Sequence, residues 1–187
     1  MRSRASQALL VATALLGACG DATGSVELAW VFVDRDGDPI YPGGVFSVDD
    51  ERDSCALPGE VGEQAVSYDL RVELQICDPA CEAGCDAEEC QVLPPRLFAC
   101  NSARGNEPEV PASDADAPYR FELRAVIGIP STGTQCRDAA PTCLAVPSAR
   151  ERVVEAGRVI DLQVYQIAVD VDRNGGERLD LEECDCA

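Results

Sequence analysis

Histidine and lysine are both missing from these 187 residues. Without histidine, the Ser-His-Asp arrangement, imidazole general bases and the usual catalytic zinc ligand sets are excluded in their common forms. Without lysine there is no Schiff-base nucleophile and no phosphate-binding loop of the kind that ends in lysine. All fifteen basic residues are arginine, set against 34 acids for a net charge of −19. A surface of that sign repels nucleic acid and anionic membranes. No apolar run reaches the roughly 20 residues that a bilayer-spanning helix needs. Carboxylate pairs remain as a possible acid and base, but 34 acids make a chance pair commonplace. The expectation is a protein that is not an enzyme.

What is present begins with an export address. Arg2 and Arg4 precede a short apolar run from Ala8 to Leu16, followed by Leu16-Gly17-Ala18-Cys19. This stretch resembles the lipobox of bacterial envelope lipoproteins. The resemblance implies that residues 1–18 are a signal peptide removed on export. It also implies that Cys19 carries the lipid, palmitate included, and that the protein is tethered to a membrane through its acylated amino end. In that family an Asp after the cysteine commonly retains the protein at the inner membrane. Here the position is Gly20, which favours the outer membrane. Residues 19–25 are small and polar and read as a tether, leaving 26–187 as a single domain.

Four stretches carry a strand signal. Val26, Leu28, Trp30 and Phe32 form one face of an extended segment, with Ala29, Val31 and Val33 on the other. It runs into Asp36-Gly37, a pair suited to a tight turn. Tyr68, Leu70, Val72, Leu74 and Ile76 alternate with Asp69, Arg71, Glu73 and Gln75, which predicts one buried and one wet face. Tyr119, Phe121, Leu123, Ala125 and Ile127 repeat the pattern. The run from Val159 to Val171 changes parity near Val164-Tyr165, where a bulge would reconcile its halves. Arg152-Val153-Val154 adds a short strand. Residues 39–66 read as loop apart from a short strand at Val45-Phe46-Ser47-Val48, and 101–118 and 131–147 read as loops throughout.

Removing Cys19 from the eleven cysteines leaves an even ten. Cys77, Cys81, Cys85 and Cys90 crowd into fourteen residues, but their spacing lacks the paired knuckles of structural zinc sites, and an exported chain meets an oxidising compartment. Disulfides are expected. Cys55 is matched with Cys100, and Cys136 with Cys143 as a local loop. Cys184 and Cys186, too close in an extended tail to bridge each other comfortably, are then left to pair with two of the four cysteines in the 77–90 insertion.

Short strands, long polar loops and no long amphipathic helix predict an all-β, antiparallel two-sheet sandwich with a disulfide-rich insertion. The strand order, with Ala117-Pro118-Tyr119-Arg120-Phe121 and Val154-Glu155-Ala156-Gly157-Arg158-Val159 as strand entries, resembles the small immunoglobulin-like or prealbumin-like domains of bacterial surface lipoproteins. That resemblance implies a surface binding or scaffold module whose partner is an envelope protein or glycan. One alternative stands beside it, a calcium-dependent binding module. Asp170-Val171-Asp172-Arg173-Asn174-Gly175 follows the opening of a calcium loop through Asp170, Asp172 and Asn174, but the twelfth position is Leu181 where a bidentate Glu is needed. A turn at Asn174-Gly175 is the expectation, and no cofactor is required.

Overall fold

The computed structural model describes residues 22–41, 55–129, 131–171 and 178–186. The proposed signal peptide, Cys19, the short strand at Val45-Phe46-Ser47-Val48, Asp172 and Asn174 all lie outside the described residues. The described chain is all-β, with two 3-10 turns at Glu88–Cys90 and Cys100–Ser102 and no α-helix among the described residues.

The first sheet is centred on β1 (Thr23–Val33). One edge of β1 pairs with β2 (Pro39–Tyr41) and β6 (Arg104–Pro111), and the other with β11 (Val159–Val169), which in turn pairs with β9 (Leu144–Ala145). The second sheet has β4 (Gln64–Cys77) and β7 (Tyr119–Ile129) at its centre. β3 (Ala56–Val61) and β5 (Gln91–Ala99) flank β4, while β8 (Thr134–Cys136) and β10 (Arg150–Arg152) flank β7; β12 (Leu179–Asp180) lies outside β3.

Most pairs are antiparallel, but β1 with β11 and β12 with β3 are parallel. The sheets are therefore mixed, which corrects the expectation of a purely antiparallel sandwich. The reason is topological: β11 adds to the first sheet along the free edge of β1 and enters from the same end, a relation between segments over a hundred residues apart that no local pattern encodes.

The sheets pack face to face. Val26, Leu28, Trp30 and Phe32 of β1 and Leu162, Tyr165, Ile167 and Val169 of β11 meet Tyr68, Leu70, Val72, Leu74 and Ile76 of β4 and Phe121, Leu123 and Ile127 of β7 in one core. Each of these residues is at least 96 % buried, so burial of their apolar area is the main stabilising term. Trp30 spans the gap: its ring lies 5.7 Å from that of Phe98 on β5, and its Nε1 donates to the carbonyl of Cys100 at 3.0 Å. Gly105 is needed where β6 passes beneath Phe98, because a Cβ there would fall 2.8 Å from Phe98 Cζ and 2.9 Å from Leu28 Cδ2.

Several boundaries differ from the sequence reading. β1 starts at Thr23, inside the stretch assigned to a tether. β6 occupies residues read as loop despite Pro108 and Pro111; it pairs with β1 alone, and an edge strand tolerates proline. β2, β3, β8 and β9 likewise fall in segments read as loops: β2, β8 and β9 are too short to show a period, and β3 carries Pro58 and Gly59, which read as turn residues. The strand expected at Arg152-Val153-Val154 is β10, centred two residues earlier. In β11 the extra residue is Gln163, with φ 63°, opposite the step from Glu27 to Ala29. It turns Val164 outward at 57 % exposure while Leu162 and Tyr165 both stay buried. The parity change is therefore a bulge, one residue earlier than expected.

The wet face expected for β4 is not wet. Glu73 and Gln75 are each 4 % exposed, because the 77–90 insertion and the segment after Cys136 fold back over that side. Arg137 Nε donates to Glu73 Oε2 at 3.0 Å. Arg124, opposite Glu73 on β7, forms ion pairs with Asp86 of the insertion and with Asp138.

Candidate functional site

The ten described cysteines form five bridges. Cys55 joins Cys100, as expected, and fixes the entry of β3 to the crossing from the second sheet into the first. The other assignments change. Cys77 pairs with Cys85 and Cys81 with Cys90, so the insertion closes on itself. Cys136 pairs with Cys186 and Cys143 with Cys184, at Cα separations of 5.4 and 5.5 Å. The local Cys136–Cys143 bond and the stapling of the tail to the insertion are both corrected.

The physical reason lies in placement. β4 runs its whole length between the insertion, which follows Cys77, and the tail, whose β12 pairs with β3 near the start of β4. The tail instead lies against the segment between β8 and β9, where Ala140 N donates to the carbonyl of Cys184 at 3.0 Å. Counting could show that Cys184 and Cys186 seek separate partners, but not which end of the sheet they occupy.

The insertion has an internal order that sequence reasoning missed. Backbone bonds link Cys81 N to Asp78 O, Gly84 N to Cys81 O, Ala87 N to Gly84 O and Cys90 N to Ala87 O, and Asp78 N returns to Cys90 O. Four consecutive turns of three residues thus close into a ring, with the interleaved bridges Cys77–Cys85 and Cys81–Cys90 across it. Gly84, at φ 80°, takes the left-handed conformation that one corner requires. The three-residue turn period, hidden behind cysteine spacings of four, four and five, was the available signal.

The calcium alternative is altered by its surroundings. Asp170 is the single described member of the Asp170, Asp172 and Asn174 set, and its Oδ1 accepts from Arg35 Nε at 2.6 Å. Leu181 is fully buried, and Asp180 Oδ1 accepts from the backbone N–H groups of Glu182 and Glu183, capping the final turn. The turn at Asp36-Gly37 lies beside Asp170, with Arg35 N donating to Val171 O at 3.3 Å. Its buried Asp34 accepts from the N–H groups of Asp36 and Asp38, and Gly37 alone carries the positive φ. Among the described residues no three His, Cys, Asp or Glu side chains are placed to share a metal ion.

Buried polar chemistry concentrates at one further point. Arg150 lies with its guanidinium carbon 3.8 Å from the ring centre of Tyr165, and its Nη2 donates to Val164 O at 2.9 Å. Arg150 Nη1 and the Tyr165 hydroxyl are buried without a hydrogen-bond partner. Burial pushes the Tyr165 phenol above its ordinary pKa, opposed by the charges of Arg150 and Arg152.

Compared with known proteins, the chain matches no family model, no curated sequence and no solved structure.

Proposed function

We propose that the chain is a non-catalytic, lipid-anchored protein of a bacterial cell envelope. Cys19 holds it to the membrane, with the outer membrane favoured, and its immunoglobulin-like or prealbumin-like domain serves as a surface binding or scaffold module. The observation that carries this reading is the cysteine pairing. Five bridges use ten of the eleven cysteines, and the eleventh is the cysteine of the lipobox. Five disulfides also suit an oxidising compartment outside the cytosol.

The start of β1 adds support. Thr23 follows Cys19 by four residues, so an anchor there holds the domain within roughly 14 Å of the lipid. The end of the sheets nearest the membrane then carries the 77–90 insertion, since Thr23 pairs with Pro111, a short connection leads to Tyr119, and Arg120 pairs with Cys77. The opposite end, with the Asp34–Asp38 turn and the stapled tail, faces outward.

The test is metabolic labelling of the full chain with a fatty acid. Wild-type protein is expected to take up the label and fractionate with membranes, and Cys19→Ala to lose both the label and the membrane attachment. An unlabelled wild type, or a processed Cys19→Ala chain that stays with membranes, would overturn the reading.

A further inference from the structure

The outer face of the first sheet carries charges of both signs that are not paired with each other. β6, β1 and β11 lie side by side there, and their register sets two rows across the strands. Asn106, Glu27 and Asp161 form one row; Arg104, Ala29 and Val164 form the next. All of these are exposed except the small, half-buried Ala29. The Gln163 bulge lifts Gln163 and Val164 along one side, and the result is an open cleft of about 450 Å³ over Ala29.

Two features set this cleft apart from an ordinary solvated face. Glu27 and Asp161 are direct neighbours on adjacent strands, a like-charge pairing that costs stability unless a cation sits between the two. Arg104 stands in the neighbouring row yet forms no ion pair with either, and neither Glu27 nor Arg104 makes a side-chain hydrogen bond or ion pair among the described residues. Asp161 accepts from Gln163 N through Oδ1 at 2.7 Å, so Glu27, the second oxygen of Asp161 and Arg104 are what offer both signs of charge to a ligand. Their rows lie two residues apart along β1, roughly 7 Å at the usual strand rise.

The geometry points to a binding site for a short zwitterionic peptide. Its free ammonium sits between Glu27 and Asp161, and its free carboxylate meets the guanidinium of Arg104, which suits a planar carboxylate. A dipeptide spans roughly 7 Å when extended; Arg104, on β6, stands about 10 Å by backbone position from the midpoint of Glu27 and Asp161, one row along β1 and one and a half strand spacings across, and the long arginine side chain spans the difference. Asn106 and Gln163 offer amides to the peptide group, and Val164 offers an apolar contact for a side chain. This inference rests on the reading of the domain as a surface binding module and names the ligand chemistry of that module.

The test is an NMR titration of the full chain with alanyl-alanine, N-acetyl-alanyl-alanine and alanyl-alanine amide. Alanyl-alanine is expected to give saturable amide shifts at Ala29, Gln163 and Val164, and each capped form to bind about tenfold more weakly. Arg104→Gln is expected to abolish the preference over the amide, and Glu27→Gln with Asp161→Asn the preference over the acetylated form. All three positions are exposed, so the fold survives these changes. No saturable shift with alanyl-alanine, equal affinity for the capped forms, or saturation of the same amides by maltose would overturn the inference. Fatty-acid labelling is independent of this cleft, so a failed titration with intact lipidation sinks the ligand assignment alone.

Discussion

Removing both bonds that hold the carboxyl-terminal segment is expected to cost more than the sum of removing each. Cys143–Cys184 and Cys136–Cys186 are nested and span 41 and 50 residues. In the chain-entropy relation, either bond alone restricts the unfolded chain by about 4 kcal/mol. With one already closed, the other closes only a small ring, seven residues from Cys136 to Cys143 and two from Cys184 to Cys186, worth about 2.7 kcal/mol. Cys143→Ala with Cys184→Ala should therefore lower the unfolding free energy by about 3 kcal/mol, and Cys136→Ala with Cys186→Ala by a similar amount. The fourfold variant should lose about 7 kcal/mol, roughly 1 more than the two pairs summed. Alanine is chosen because Cys143 and Cys184 are buried, and serine would bury an unpaired hydroxyl. Urea unfolding without reductant, extrapolated to water, gives the energies, and non-reducing peptide mapping gives the pairing. A mapped Cys136–Cys143 peptide, or a pairwise variant as destabilised as the fourfold one, would refute the reasoning. Should the fourfold variant be unfolded in water, the wild-type peptide map still decides the pairing.

Arg137→Ala strands the buried carboxylate of Glu73 and should cost about 2 kcal/mol, mostly restored by adding Glu73→Gln; equal stability of the two variants in thermal or urea unfolding would contradict this. Gly105→Ala forces a methyl against Phe98 and Leu28 and should cost about 1–3 kcal/mol in the same assay, with a neutral result arguing against the close approach. The Tyr165 phenol has its folded pKa raised, so its contribution is intact below the unfolded value of about 10 and is lost as pH rises through the higher folded value. Tyr165→Phe, which removes a buried hydroxyl without a partner, should leave stability at neutral pH unchanged or higher and reduce the alkaline loss. An alkaline stability profile unchanged by that substitution would count against the assignment.

The strands that the sequence displays are those whose environment is set by their own alternation. β7 and the first half of β4 put apolar side chains into one core on every second residue, and β1, apolar on both faces, is equally visible. Where a segment's surroundings come from distant parts of the chain, the pattern misleads. Glu73 and Gln75 have the composition of a wet face, yet Arg137 and the 77–90 insertion cover them. Arg104 to Pro111 looks like a loop, yet β1 supplies a ladder for it. In β11 the change of parity disclosed a bulge, while its position at Gln163 depended on β1 across the sheet. The cleft that joins Arg104, Glu27 and Asp161 was invisible for the same reason: three strands far apart in sequence bring it together. The disulfides divide likewise, since the need of Cys184 and Cys186 for separate partners follows from local geometry, whereas their partners follow from the path of β12 along β3.

The parallel pairing of β1 with β11 also has a mechanical meaning. β1 is hydrogen-bonded along both edges, to β6 and β2 on one side and to β11 on the other. A pull applied at its amino end is directed along the strand, across every one of those bonds, so they carry the load together and do not open one after another. Under the proposed anchor at Cys19, four residues before Thr23, a pull on the opposite end of the sheets would meet that load with the strongest arrangement. Single-molecule stretching between the amino terminus and the carboxyl end of β11 should therefore show one high-force rupture, and a low, stepwise opening of β1 would show that the strand is peeled, not sheared.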